Sequence, residues 1–495
     1  MTGTKHLWRM TAALGLSLAL IVPSLPTPAQ ANPASGHTSG GGSKTDVGAA
    51  IFLGIQAGKI IYDAVKEKNK KKTKKTTKTK PKKKKTKRVT RSKKQPKKAT
   101  VKRTSKTPAK RQTAKRSAPP KQFASGMPPE TEDRYIDNEV IVRYRIGASQ
   151  RQMNALVGRL KLQWRSARTF RLAGTTVHRY RINNDTPVRD VIAALEQDPT
   201  VASAQPNYLY SLQQAAGNAA NSAQYALAKL SISPVHSITR GGAVPIAVID
   251  SGIDMKHPEL KATSIEAIDT TGEKKHQADA HGTSIAGIIA SNGTLLGIAP
   301  ESRLIGIRAF LKDKTTGLST SSSWAIATAL DRAHKAGARV INMSFAGPKD
   351  PLVGDSIRSA IDKGLIPVAA AGNDGPESQP LYPAAYEGVI AVTATDKDDS
   401  AYSKANRGDY ITVAAPGVDI LAPIPNGGYS VSSGTSMAAA HVSGLIALVL
   451  SRDSDLGYDD ILKVLSTSST DLGKPGRDPV FGTGLPSAAQ ALNKL

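Results

Sequence analysis

Apolar positions along residues 137–208 recur with two periods in turn. Residues 139–145 (EVIVRYR) alternate apolar and polar, as a half-buried strand does, and Met153, Leu156, Val157 and Leu160 follow at helical spacing. Residues 169–172 and 176–182 flank Ala173 and Gly174 as a hairpin. Pro187 opens a second helix with Val188, Val191, Ile192 and Leu195 on one face, and residues 201–208 close the unit as a strand. The order β-α-β-β-α-β predicts a small α+β module of the split βαβ type. The next stretch, 213–224 (QQAAGNAANSAQ), is polar and built of small residues, which suits a linker and a protease cut.

Beyond the linker the pattern changes to unbroken apolar runs. Residues 244–250, 303–310, 339–345, 366–371 and 389–395 read as buried strands, and 321–336, 355–363 and 436–450 as helices. Alternation of this kind predicts an α/β fold with a mostly parallel sheet covered by helices on both faces. Ligands of such sheets sit at the carboxyl ends of the strands.

The N-terminal part has neither pattern. Lys5 and Arg9 precede the apolar residues 11–22, and Ala29, Gln30 and Ala31 form a small-x-small cleavage site, so residues 1–31 read as an export signal. The apolar run is about 12 residues, short of the roughly 20 that span a bilayer; the alternative is an uncleaved N-terminal anchor. Either way the body of the protein is expected outside the cytosol, in the periplasm or the medium. Residues 32–65 form a linker with a second apolar patch at 47–65, read either as a short helix for a partner or membrane surface or as an unstructured segment. Residues 66–121 hold 28 Lys and Arg against one acid, Glu67, with hardly an apolar side chain, and are expected to be disordered.

Charge therefore belongs to a segment and not to the whole. The net +29 of the 495-residue chain is nearly all contributed by 66–121, whereas residues 213–495 carry 24 basic and 27 acidic side chains, 24 − 27 = −3. Interleaved aromatics and nucleic-acid modules are missing from the basic run, so specific nucleic-acid recognition is not expected. A spacer, or a tether to anionic envelope polymers or a membrane surface, is. The absence of cysteine excludes disulfides, thiolate catalysis and Cys-ligated zinc.

Three separated segments carry the groups that serine-mediated peptide hydrolysis needs: a hydroxyl nucleophile, an imidazole, a carboxylate to hold it and donors for an oxyanion. AVIDSGIDMKHPEL places Asp250 at the carboxyl end of a buried strand. HGTSIAGIIAS places His281 at a turn into a helix. SGTSMAAAHVSGLIALVLS places Ser436 at the start of a helix of small residues, whose N–H groups favour negative charge. Taken singly, each has an ordinary structural explanation: an acid after a strand, an exposed histidine, a serine N-cap.

Together, in the order Asp, His, Ser and at separations of 31 and 155 residues, these segments resemble the subtilisin-like serine peptidases. The resemblance covers about residues 223–492. It implies a three-layer subtilisin-like fold, an acyl-enzyme mechanism with no cofactor, and roles for further residues. Asn373, in 368–373 (VAAAGN), would donate to the oxyanion beside the Ser436 N–H. Ser344, Phe345 and Ala346 would pair with the substrate backbone, and Ala370, Ala371 and Gly372 would form the opposite wall of the specificity pocket. Residues 137–212 resemble the inhibitor-like propeptide of the same family, which implies a ferredoxin-like prodomain that aids folding, fills the cleft and is cut off. The organisation is then a propeptide domain at 130–212, a processing linker at 213–224 and a peptidase domain at 225–495. Expected partners are protein or peptide substrates and the enzyme's own propeptide, on a monomer. The alternative is an inactive protease-like binding protein tethered by its Lys-rich segment.

Some positions depart from the family pattern. Ala440 stands where proline is usual, Ser284 where histidine is frequent, and Ala346 where glycine is common, which bears on how closely a substrate strand can approach. Residues 291–296 are short where many members carry a calcium-binding loop, and Glu259 replaces the usual aspartate ligand, so these departures speak against structural calcium of that type.

Overall fold

The apolar runs assemble into one sheet of seven parallel strands, in the spatial order Val413–Pro416, Ile390–Thr395, Ile366–Ala370, Val340–Met343, Pro245–Asp250, Arg303–Arg308 and Ile265–Asp269. The computed structural model describes residues 125–212, 215–216, 224–273, 277–313 and 317–495. The export signal, the patch at 47–65, the basic run 66–121 and most of the linker at 213–224 lie outside the described residues.

Alternate side chains of each strand serve opposite faces. Ile246, Val248, Val340, Val368 and Val392 pack under the helices Ala280–Ala290, Thr435–Leu450 and Tyr458–Thr467. Ala247, Ile249, Ile341, Met343 and Ala369 pack under Ser323–Lys335 and Pro351–Asp362. Burial on both faces is why these strands read as unbroken apolar runs. The first of these seven strands in chain order, Pro245–Asp250, lies between Val340–Met343 and Arg303–Arg308, so the strand order reverses around it. In open α/β sheets the crevice forms at such a point, beyond the carboxyl ends.

Two strands were not anticipated. Ile265–Asp269 is a half-exposed edge strand and Val413–Pro416 is only four residues ending in proline, so neither has a long apolar signature. The helix anticipated at 355–363 starts earlier, at Pro351, because Asp350 caps it by accepting from the Leu352 and Val353 N–H groups.

The N-terminal module forms four antiparallel strands in the order Leu162–Phe170, Thr175–Ile182, Tyr135–Tyr144 and Val201–Leu212. The helices Gln150–Arg159 and Val188–Glu196 pack on one face of this sheet over Val140, Val142, Tyr180 and Ile182. The other face, with Ile141, Phe170 and Val177, packs on Ala327, Leu352 and Trp324 of the α/β body. Ion pairs Arg143–Asp355 (3.0 Å) and Arg168–Asp331 (3.4 Å) flank this contact. Burying a large apolar side chain is worth about 1.5–3 kcal/mol, whereas partly solvated pairs give about 0–1 kcal/mol each. Apolar burial thus holds the module in place and the charges set its orientation.

The last strand of the module runs four residues past the expected end at Tyr208. Its extension pairs with Ser319–Ser322 and Phe345–Ala346 of the α/β body and, among the described residues, with no strand of its own module.

Candidate active site

Asp250 ends the strand Pro245–Asp250 with its carboxylate fully buried. Ser251 N–H (2.7 Å) and Oγ (3.1 Å) donate to Oδ1, and His281 Nδ1 lies 2.8 and 2.9 Å from the two carboxylate oxygens. His281 is the second residue of the helix Ala280–Ala290, which Asp279 caps by accepting from the His281 N–H at 3.1 Å. Ser251 Oγ ties the two segments together: it shares its one proton between Asp250 Oδ1 and Asp279 Oδ1, each 3.1 Å away, and accepts from the Gly282 N–H at 3.0 Å. A Cβ at Gly282 would lie 2.7 Å from the Ser251 carbonyl oxygen, so glycine allows this approach. With Nδ1–H directed at the carboxylate, the imidazole keeps its lone pair on Nε2, which is buried and accepts no hydrogen bond among the described residues.

Ser436 is the second residue of the helix Thr435–Leu450, which packs against the histidine helix. Its hydroxyl donates to the Ser344 carbonyl at 3.0 Å, and Ser344 Oγ donates to the Ser436 carbonyl at 3.1 Å. The hydroxyl thus rests on backbone, and the bond from Ser436 Oγ to His281 Nε2 is not made in this conformation. Asn373 sits beside the same helix end. Its Oδ1 accepts from Thr435 N (3.1 Å) and Thr435 Oγ1 (3.0 Å), which turns the NH2 of the carboxamide the other way. Gly372 precedes it at φ +112°, where an L side chain is strained and a Cβ would meet Asn406 Oδ1 at 2.8 Å.

Ala370 ends its strand, and Ala370, Ala371 and Gly372 are all buried, lining the turn that leads to Asn373. Phe345 and Ala346 form a short strand that pairs antiparallel with Leu212 and Ser211. The methyl group of Ala346 therefore does not push a paired strand away. On the other side of the serine, Ala215 and Ala216 pair with Ser433 and Ser432, the residues just before Gly434, Thr435 and Ser436.

Residues 241–484 match the family model of the subtilases (peptidase S8), and residues 122–207 match that of the fervidolysin N-terminal prodomain. The thermophilic serine proteinase of Bacillus sp. (strain AK1) is 34% identical over 327 residues, 64% of this chain and 79% of that protein. The chain belongs to the subtilase family. Subtilisin E of Bacillus subtilis is 33% identical over 297 residues, 57% of this chain and 74% of its own. Fervidolysin from Fervidobacterium pennivorans, whose structure is described as that of a keratinolytic enzyme related to subtilisin, superposes with a TM-score of 0.65 at 22% identity. It covers 75% of this chain, which spans 63% of its length. At that identity the likeness speaks for the fold alone. This subtilase is accordingly a serine endopeptidase with an N-terminal prodomain.

The motifs left several supporting residues of the subtilase site unnoticed. Asn342 Nδ2 donates to Ser344 Oγ at 2.9 Å, and Ser443 Oγ donates to Asn342 Oδ1 at 3.0 Å, so a buried polar chain fixes the backbone that meets Ser436. Thr435 orients Asn373, and Ser251 with Asp279 orients the histidine helix. All are small polar residues with no local signature, and only the fold brings them together.

Glu259 was singled out for its place in a calcium pattern. Its Oε1 accepts from Thr294 N–H (3.1 Å) and Tyr429 OH (2.6 Å), and its Oε2 from Leu295 N–H (2.9 Å). Both oxygens are engaged by donors, a setting that satisfies a carboxylate without a cation. The described residues around Glu259 do not fit a calcium ion of the family type.

Proposed function

We propose that this subtilase is exported as a self-processing zymogen in which Ser436 is the nucleophile and His281 the general base and acid. Asp250 orients His281, and Asn373 Nδ2 with the Ser436 N–H holds the oxyanion. The supporting observation is that the chain's own residues are strand-paired on both sides of Ser436: Ser211 and Leu212 with Ala346 and Phe345, Ala215 and Ala216 with Ser433 and Ser432. A polypeptide threaded in this way presents itself as a substrate. In the reaction the Ser436 side chain rotates off the Ser344 carbonyl and gives its proton to Nε2 while Oγ bonds to the scissile carbon. Collapse of the tetrahedral intermediate forms the acyl-enzyme, and His281 returns the proton to the leaving amine. Water then repeats the sequence in reverse.

This reading makes the first cut fall between Leu212 and Ala215. Mass spectrometry of the processed protein is expected to find an N-terminus at Gln213, Gln214 or Ala215. A mature N-terminus beyond Gln224, or before Ser211, would contradict it. The last strand of the prodomain fills the channel between Ser319–Ser322 and Phe345–Ala346, which supports its role as an inhibitor that stays in place after the cut.

Asn373 carries a separate expectation. Asn373→Ala lowers kcat by about 10²–10³ with little change in KM, because the lost donor acts on charge that exists only in the transition state. Steady-state kinetics on a peptide substrate reads this directly; a rise in KM alone would assign Asn373 to substrate binding instead.

Export and tethering complete the proposal. Processing between Leu212 and Ala215 removes everything before it, including the basic run 66–121. The unprocessed form is expected to stay on the cell envelope at low salt and to leave it as salt rises. Deletion of 66–121 should abolish retention; retention that survives the deletion would rule the tether out.

A further inference from the structure

Tyr210 is 1% exposed and reaches out of the prodomain into the catalytic body. Its backbone is held in register with Ser321 in the same three-stranded pairing that aligns Leu212 with Phe345. Its ring meets Phe345 edge-on, with centroids 5.7 Å apart, and lies over Gly347, where any side chain would collide with it. At the far end the phenol donates to Asp350 Oδ2 at 3.1 Å.

Asp350 is fully buried in the catalytic body. Its Oδ1 is committed to the body itself, accepting from Leu352 and Val353 N–H, and also accepts from Gln205 Nε2 of the prodomain at 2.8 Å. Burial pushes its carboxyl above the usual range, opposed by hydrogen bonds from Ser323, Gln205, Val353 N–H and Tyr210. An acceptor placed at the end of an apolar socket is costly when it faces no donor. When the prodomain leaves, Gln205 and Tyr210 leave with it, and Phe345, Gly347 and Asp350 remain as a socket beside the substrate channel.

We infer that Asp350 is a specificity-determining residue that selects tyrosine in protein substrates, at the position two residues before the one paired with Phe345. This rests on the reading of the channel as the substrate-binding edge. A phenylalanine fills the same apolar walls but leaves the carboxyl without its donor. A site that pairs a substrate hydroxyl rejects the analogue lacking it far more strongly than an apolar pocket rejects a change of shape.

The test uses processed enzyme and peptides spanning residues 207–220 (NYLYSLQQAAGNAA), with tyrosine, phenylalanine or 4-fluorophenylalanine at position 210. The tyrosine peptide is expected to exceed both others by about 10–100-fold in kcat/KM. In Asp350→Asn, which keeps a cap oxygen for Leu352 and Val353, the tyrosine-to-phenylalanine ratio should fall about tenfold; a ratio is independent of how much of the variant folds. Equal kcat/KM for the tyrosine and phenylalanine peptides, with both cut, would overturn the selection and leave the catalytic reading standing. If no peptide is cut, the channel is not a substrate site and both fall.

Discussion

Ser436→Ala removes about six orders of magnitude from kcat and leaves the chain uncut between Leu212 and Ala215. The magnitude is that of losing the nucleophile from a triad whose members act as a unit; what survives is the background supplied by oxyanion donors and binding. The substitution is conservative for the fold. Ser436 is fully buried and its hydroxyl donates to the Ser344 carbonyl, a bond that alanine gives up without adding bulk. The variant should therefore accumulate as a folded zymogen with its prodomain attached. Gel analysis of purified protein and hydrolysis of a chromogenic peptide check the two halves separately. Retained processing in Ser436→Ala, with no other protease present, would mean that another group attacks the bond.

Asp250→Asn is expected to lower kcat by about 10⁴ while leaving structure and KM nearly unchanged. The reason lies in what surrounds the carboxylate. Ser251 N–H and Oγ both donate to Oδ1, so a carboxamide would settle with its oxygen toward them and its NH2 toward His281. Nδ1 would then have to accept, the ring proton would move to Nε2, and the base facing Ser436 would be lost. Because the tautomer and not the packing is altered, activity should return in part as pH rises and hydroxide competes as base. A loss of only a few-fold would show that Asp250 does no more than hold the helix of His281 in place.

The sequence disclosed the parts of this molecule whose cause is local. Runs such as 244–250 and 366–371 are apolar throughout because both faces of the parallel sheet are covered, and they were readable for that reason. The four groups proposed for the site each stand at the end of such an element, which is what drew attention to them: Asp250 after a strand, His281 and Ser436 at helix starts, Asn373 after a strand and a glycine that needs positive φ. What escaped depends on partners distant in the chain. The last strand of the module reads as ending at Tyr208 because the strand partners of 209–212 lie in another domain. Asp350 has no local signature, and nothing near it announces Gln205 or Tyr210, 145 and 140 residues away. Asn342 and Ser443 escaped for the same reason, being joined across 101 residues.

The rest position of Ser436 bears on activation. Its hydroxyl is bonded to the Ser344 carbonyl while Nε2 of His281 accepts nothing among the described residues, so in the proposed mechanism the first event is release of the hydroxyl from that carbonyl. The surrounding polar groups, Asn342, Ser344 and Ser443, already satisfy one another and do not have to move with it.

Treating processed protein with a fluorophosphonate and mapping the adduct by mass spectrometry tests the central claim most directly. The account predicts a single adduct on Ser436, absent from His281→Ala. Folded, processed protein that takes up no label, or takes it up on another serine, would contradict the assignment and return the chain to a protease-like scaffold that binds polypeptides without cutting them.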